Sequence, residues 1–315
     1  MAFLIACSSR AEQFATEIRA VDPLLDLRIA PDIGAAEDID TALAWQPPAG
    51  LLARLPNLGL IVSVGAGVDA LVLDPTLPDV PLVRFVDPDL AGRMAEYIAL
   101  HVLYHHRRMS EFRELQMRGI WNYLPEPAAR EVRVGLMGIG VLGSAAANVL
   151  KPFGYRLRGW SRTPKAVEGV TCFSGAAELD AFLAETDILA VLLPLTRETR
   201  AILNRELFAR LSRTGRSPHL PGPVLINAGR GALQVDADIV AALGAGEVYA
   251  ASLDVFETEP LPPASPLWRH PRVVITPHNA AESAPAAIAR YAVRQMRAYK
   301  SGAPLENVVD RSRGY

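Results

Sequence analysis

Apolar residues recur along this chain in short blocks bounded by Pro, Gly and Asp, a length that suits buried strands better than helices. Blocks at 3–7, 25–29, 42–45, 58–64 and 82–85 predict strands. Residues 10–20 predict an amphipathic helix with Phe14, Ile18 and Val21 on one side. Together they form a small α/β unit with its own parallel sheet, covering residues 1–98. From 93 to 118 the period changes: Met94, Tyr97, Ile98, His101, Val102 and His105 recur at spacings of three and four, which predicts one long helix. Trp121, Asn122, Tyr123, Leu124 and Pro125 end it irregularly.

Strand-like blocks resume with Val132, Val134, Leu136 and Met137, followed by Gly138-Ile139-Gly140-Val141-Leu142-Gly143 and an Ala-rich helical stretch to about 153. Further strands are predicted at 156–160, 187–193, 224–227, 249–253 and 273–276, with helices at 177–185, 237–243 and 286–300. Strands separated by helices imply a doubly wound parallel sheet. The fold class is therefore α/β with two parallel-sheet domains. One domain spans 1–98 and regains 286–315 through a returning last helix; the other spans 99–285. Residues 213–223 and the tail from 302 are irregular.

Composition narrows the partners. At 50% hydrophobic and 21% charged residues with a net charge of −2, the chain carries no basic field, which argues against nucleic acid. Cys7 and Cys172 are far apart in strand-like runs and form no metal or redox motif, which suits a reducing, cytoplasmic setting. The apolar start is too short for a signal segment, and no run approaches the ~18 apolar residues of a membrane span. His101 and His105 stand one helical turn apart, but no Cys or carboxylate completes a set nearby, so no metal is expected.

The Gly-rich stretch has the strand–GxGxxG–helix layout that binds a dinucleotide. Gly138 allows the tight turn, Gly140 lets the backbone approach the pyrophosphate, and Gly143 lets helix and strand pack closely. Val141 and Leu142 lie at the helix N-terminus, whose N–H groups and partial positive charge meet the anion. An acid usually ends the second strand of such a fold to hold the ribose 2′-OH. Here Ser161, Arg162 and Thr163 stand there, a set able to donate to and pair with a 2′-phosphate. NADP is favoured, with NAD as the weaker partner. Arg230, Glu259 and His278 each lie just past a predicted strand, where open α/β sheets form their ligand crevice. The Val64-Gly65-Ala66-Gly67-Val68-Asp69 loop could likewise offer its N–H groups to an anion, or be an ordinary turn.

The combination of GxGxxG, Asn227-x-x-Arg230-Gly231, Asp254-Val255-Phe256-x-x-Glu259-Pro260-Leu261-Pro262 and Thr276-Pro277-His278 resembles the D-isomer-specific 2-hydroxyacid dehydrogenase family over nearly the whole chain. Ala44-Trp45-Gln46-Pro47-Pro48, the 64–69 loop, Trp160-Ser161-Arg162-Thr163 and the ending from Val309 to Tyr315 are most similar to its members that reduce glyoxylate and hydroxypyruvate. The resemblance implies a flavodoxin-like substrate domain and a Rossmann domain, with the active site in the cleft between them and a dimerisation arm at 93–121. It implies NADP-dependent reduction of glyoxylate to glycolate and hydroxypyruvate to D-glycerate, in a homodimer. Arg230 would grip the substrate carboxylate, His278 would donate the proton, and Glu259 would orient His278. Trp45 and the N–H groups of Ala66 and Gly67 would line the substrate pocket, Asp254 would contact the nicotinamide amide, and Pro194, Thr196 and Ala228 would border the cofactor. Asn279 stands where an apolar residue is more usual, which leaves the preferred 2-oxo acid open. Two other readings are a dinucleotide-sensing binding protein on the same scaffold, which can keep the Arg/Glu/His set, and a family member acting on a larger 2-oxo acid. A methyltransferase with a similar Gly-rich turn fits the Arg/Glu/His set poorly.

Overall fold

Parallel strands expose no polar face and must be covered on both sides, and the two sheets of this chain show how that is met. The structure, a computed structural model, describes residues 1–65, 67–212 and 215–311. In chain order the first part forms β1 (Ala2–Cys7), α1 (Ala11–Val21), β2 (Leu27–Ile29), β3 (Ile39–Trp45), β4 (Leu60–Ser63), α2 (Asp69–Val72) and β5 (Leu82–Arg84). There follow α3 (Pro88–His106), α4 (Met109–Met117), β6 (Arg133–Met137), α5 (Val141–Leu150), β7 (Arg156–Ser161), β8 (Val170–Ser174), α6 (Leu179–Ala184) and β9 (Ile188–Val191). The remainder is α7 (Arg205–Phe208), β10 (Val224–Asn227), α8 (Asp236–Ala245), β11 (Ala250–Leu253), β12 (Val273–Ile275) and α9 (Pro285–Ser301).

The chain divides into two units, Met1–Pro88 with Ser283–Tyr315, and Asp89–Glu282. In the first, the sheet runs β2-β1-β3-β4-β5 with parallel pairs, the flavodoxin-like order. Its strands alternate between two cores. Phe3, Ile5, Leu43 and Val62 meet Phe14 and Ile18 of α1 and Ile288, Tyr291 and Met296 of α9. Ala2, Leu4, Ala42 and Ile61 point the other way, to Leu52, Leu55 and Leu71. The last helix therefore does return to the first sheet. Pro285 at its start and Gly302 in the left-handed conformation at its end delimit it, and Arg297 pairs with Asp22 at 2.8 Å.

The second sheet runs β12-β11-β10-β9-β6-β7-β8, again parallel. Numbered from β6, this is the Rossmann order 3-2-1-4-5-6 with one strand added, and its direction reverses between β6 and β9. Ile188 and Ala190 of β9 face one core with Val134, Leu136, Ala146 and Leu150; Leu189 and Val191 face the other with Phe182, Phe208 and Leu225. A buried Arg133–Asp187 pair at 2.6 Å, with Ser212 also donating to the carboxylate at 2.5 Å, ties β6 to the start of β9.

Two expectations change and a third is made definite. The long helix over 93–118 is two helices: Arg108 takes a left-handed φ of 53° between them, its guanidinium bonded to Glu111 at 3.0 Å and to the Pro125 carbonyl at 3.2 Å. The unit boundaries fall at 88/89 and 282/283 instead of 98 and 286, because Met94, Tyr97, Ile98 and Val102 of α3 pack into the core around β6 and α5. The strand-like run around Cys172 takes definite bounds as the edge strand β8, Val170–Ser174. It is only part-buried, so its apolar signal is weak. Among the described residues no helix is long and apolar enough to cross a membrane.

Candidate active site

The Gly-rich turn sits where the second sheet reverses. Gly138 leaves β6 at φ +111°, and α5 starts at Val141 with Gly140 as its cap. A Cβ on Gly143 would lie 2.1 Å from the Gly138 carbonyl oxygen, so only glycine permits this helix–strand approach. At Gly140 a Cβ would meet nothing within 4 Å, and Gly140 and Val141 are exposed. The helix N-terminus carries no side-chain cap. Its open approach and uncapped N–H groups suit a pyrophosphate.

At the end of β7, Ser161 donates its hydroxyl proton to the Thr163 carbonyl at 2.8 Å. Ser161 thus shapes the loop that presents exposed Arg162 and Thr163. Beyond β9, the Thr199 hydroxyl donates to the Pro194 carbonyl at 2.8 Å and accepts from the Thr196 N–H at 2.8 Å, which closes that turn. Glu198 follows it. The Thr196 hydroxyl, with help from the Arg162 and Arg197 charges, holds the Glu198 carboxyl below the usual range. Ala228 is buried after β10, its N–H donating to Val191.

Arg230, Glu259 and His278 follow β10, β11 and β12, three adjacent strands. His278 Nδ1 lies 2.7 Å from Glu259 Oε2, and the Phe256 N–H donates to the other carboxylate oxygen at 3.0 Å. Burial pushes the Glu259 carboxyl up, but the bonds from His278 and Phe256 and the charges of His278 and Arg230 outweigh it, leaving it below its usual value. An ionised carboxylate only accepts, so Nδ1 carries a proton and Nε2 is the nitrogen left to gain or lose one. The Arg230 loop is held by Asn227, fully buried at the end of β10. Its amide donates to the Arg230 carbonyl at 3.2 Å and to Gln234 Oε1 at 2.7 Å, and its oxygen accepts from the Gly229 N–H at 3.0 Å. Gly231 packs so closely on the Phe256 carbonyl that a Cβ would lie 1.7 Å from its oxygen. That contact brings the Arg230 and Glu259 turns together.

Asp254 directly follows β11. It is 2% exposed, and its carboxylate accepts from the Thr276 hydroxyl at 2.6 Å and from the Asn279 and Ala280 N–H groups at 3.0 Å each. Its side chain is engaged by the His278 turn. In the first unit, part-buried Trp45 ends β3, and a Cβ on Gly65 would come within 2.9 Å of its ring. Gly67 is part-buried, whereas Ala66 lies outside the described residues, as does the end of the 309–315 motif. Sequence reasoning missed Gln234, Thr276 and Tyr97, whose hydroxyl is 2.9 Å from that of Thr276. Of these only Thr276 had a signal, its place in Thr-Pro-His. His105 bonds Ser252 at 2.8 Å, and among the described residues no group of three or more His, Cys, Asp or Glu is placed to hold a metal.

A family model described as D-isomer specific 2-hydroxyacid dehydrogenase, NAD binding domain, matches residues 99–280. The chain is 42% identical over 289 residues to glyoxylate/hydroxypyruvate reductase A of Yersinia enterocolitica, covering 90% of each chain. It is 43% identical over 282 residues to the Serratia proteamaculans protein of the same name, covering 88% of each. Among solved structures, the NADPH-dependent glyoxylate/hydroxypyruvate reductase of Sinorhizobium meliloti in complex with NADP and sulfate is 42% identical at a TM-score of 0.91, over 100% of this chain and 99% of that one. A D-isomer specific 2-hydroxyacid dehydrogenase of Xanthobacter autotrophicus Py2 in complex with NADPH and MES is 43% identical at a TM-score of 0.89, with the same coverage. With its Gly-rich turn, its paired histidine and glutamate and these matches along almost its full length, the chain belongs to the D-isomer specific 2-hydroxyacid dehydrogenase family.

Proposed function

We propose that this chain reduces small 2-oxo acids, glyoxylate to glycolate and hydroxypyruvate to D-glycerate, with NADPH as hydride donor. The observation that carries the reading is the 2.7 Å His278–Glu259 pair with Arg230 one loop away, on strand ends of the sheet that bears the Gly-rich turn. The names of the relatives at 42–43% identity point the same way.

NADPH, when bound, supplies the hydride. The N–H groups at Gly140–Gly143 take its pyrophosphate, and the turns at Pro194–Thr196 and Ala228 border it. Arg162 and Thr163 take the 2′-phosphate, on a loop shaped by the bond from Ser161 to the Thr163 carbonyl, and the sequence places no acid at 161–163 to repel it. Arg230 pairs with the substrate carboxylate and polarises the 2-oxo group. His278 gives its Nε2 proton to the carbonyl oxygen, and Glu259 orients the ring by accepting from Nδ1–H. Asp254 serves the nicotinamide end of the site chiefly by holding the His278 turn.

The active form is a homodimer in the cytoplasm, where Cys7 and Cys172 remain thiols. Met117, Trp121 and Tyr123, on α4 and just after it, are more than four-fifths exposed, an apolar face that a second copy would cover. The experiment is one panel: loss of NADPH or NADH absorbance with glyoxylate, hydroxypyruvate, pyruvate and larger 2-oxo acids. Faster turnover with NADPH than with NADH, and with glyoxylate and hydroxypyruvate than with the other acids, is expected. No turnover with any acid, or a higher kcat/KM with NADH, contradicts the reading. Light scattering on the same sample should give twice the 34.0 kDa chain mass.

A further inference from the structure

His278 has a left-handed backbone, φ +56°, although it bears a Cβ. Such a conformation persists only where the surroundings over-determine it. The N–H of His278 donates to the Asp254 carbonyl at 2.8 Å, and the next two N–H groups donate to the Asp254 carboxylate. The histidine turn therefore hangs on one buried aspartate. That aspartate is held in turn. Thr276 has one hydroxyl proton, and it goes to Asp254 Oδ1 at 2.6 Å. At the 2.9 Å contact with Tyr97, Thr276 can then only accept, so the phenol donates. Tyr97 comes from the middle of α3, far away in sequence. Its ring is clamped by the His101 ring at a centroid distance of 4.2 Å, and His101 is itself buried. Burial pushes the Tyr97 phenol up from its ordinary value, so the proton it donates stays in place across the working range.

We infer that Tyr97 is a positioning residue for the proton donor, acting through Thr276 and Asp254 to hold the His278 turn. The inference rests on the proposed role of His278. The directed chain from Tyr97 to Thr276 to Asp254 sets the orientation of the carboxylate, and the carboxylate sets the Asn279 and Ala280 N–H groups that fix the backbone past the imidazole. Tyr97 touches neither substrate nor cofactor in this role.

The test compares Tyr97→Phe, Thr276→Val, Thr276→Ser and the Tyr97→Phe/Thr276→Val double variant. Two readouts are taken: steady-state kinetics, and amide hydrogen exchange at Asn279 and Ala280 against the amides of β10. Loss of one hydroxyl donor should lower kcat about three- to ten-fold in Tyr97→Phe while the KM for NADPH stays within about two-fold. Exchange at Asn279 and Ala280 should quicken with β10 unchanged, a split that general destabilisation does not give. Thr276→Val should do at least as much, Thr276→Ser should restore most of it, and the double variant should match Thr276→Val, since both residues act through one chain. Unchanged exchange at Asn279 and Ala280 in Tyr97→Phe, or effects that multiply in the double variant, would overturn the inference. Absence of turnover in the unaltered chain would overturn the reductase reading alone, and the exchange pattern would then decide the role of Tyr97 by itself.

Discussion

His278 has its Nδ1 anchored on a carboxylate, which leaves Nε2 as the nitrogen that can exchange a proton, and this asymmetry is what a proton donor requires. Glu259 keeps its charge because the bonds from His278 and Phe256, and the nearby Arg230, overcome the cost of its burial. Replacing His278 by Ala should therefore lower kcat by ~10²-fold or more, with NADPH affinity by fluorescence titration unchanged. Near-normal turnover in that variant would remove His278 from the proposed role. Much of this site was legible in the sequence, because Arg230, Glu259 and His278 each follow a strand block and the ends of parallel strands converge. What could not be read is how the three are held. Asn227 and Asp254 were visible as motif letters, but their hydrogen bonds to the Arg230 and His278 turns depend on backbone directions that no spacing reveals. The partnership of Tyr97 with Thr276 spans 179 residues and leaves no local trace.

Among the elements, the β6–α5 turn separates two uses of glycine. Gly143 is required by the fold, since a Cβ there would strike the Gly138 carbonyl at 2.1 Å; Gly140 faces open space. Gly143→Ala should lower Tm and weaken NADPH binding together, whereas Gly140→Ala should leave Tm nearly unchanged and weaken NADPH binding alone. Equal thermal losses in both variants would refute the assignment. Helix α3 makes a second prediction. Burial lowers His101 to about 4 and His105 to about 3, so both stay neutral in the folded chain at pH 5, while the unfolded chain, with ordinary histidines near 6.5, takes up their protons. Stability is thus fully present above pH ~6.5 and falls as the pH drops toward 4, with a slope approaching about 1.4 kcal/mol per pH unit for each histidine. Urea unfolding at pH 7 and pH 5 checks this, and equal stability at the two values would contradict it. Helix period revealed α3 and α4 but not the break between them. The left-handed turn at Arg108 is held by a local bond to Glu111 and by distant bonds to the 125–127 segment, including His106 Nε2 at 2.9 Å from the Pro127 carbonyl. Strand β8 was legible only as a strand-like run around Cys172, without bounds, because an edge strand needs only one covered face.

At the scale of the whole molecule, the returning helix α9 was legible as an amphipathic segment past the last strand. Its return to the first domain was also expected, but the side chains it meets were not legible, since Ile288, Tyr291 and Met296 meet strands more than two hundred residues earlier in the chain. One unit keeps the flavodoxin-like order and the other the Rossmann order. The family membership of the chain rests on the sequence motifs, this pair of sheets and the matches to relatives along nearly the full length. The account stands or falls on hydride transfer to a 2-oxo acid. The most direct measurement mixes the purified chain with hydroxypyruvate and NADPH carrying deuterium at the transferable position of the nicotinamide, and analyses the product by mass spectrometry and chiral chromatography. The account predicts D-glycerate with one deuterium at C2, formed in step with NADPH loss. Unlabelled glycerate, the L-isomer, or no glycerate at all would contradict it.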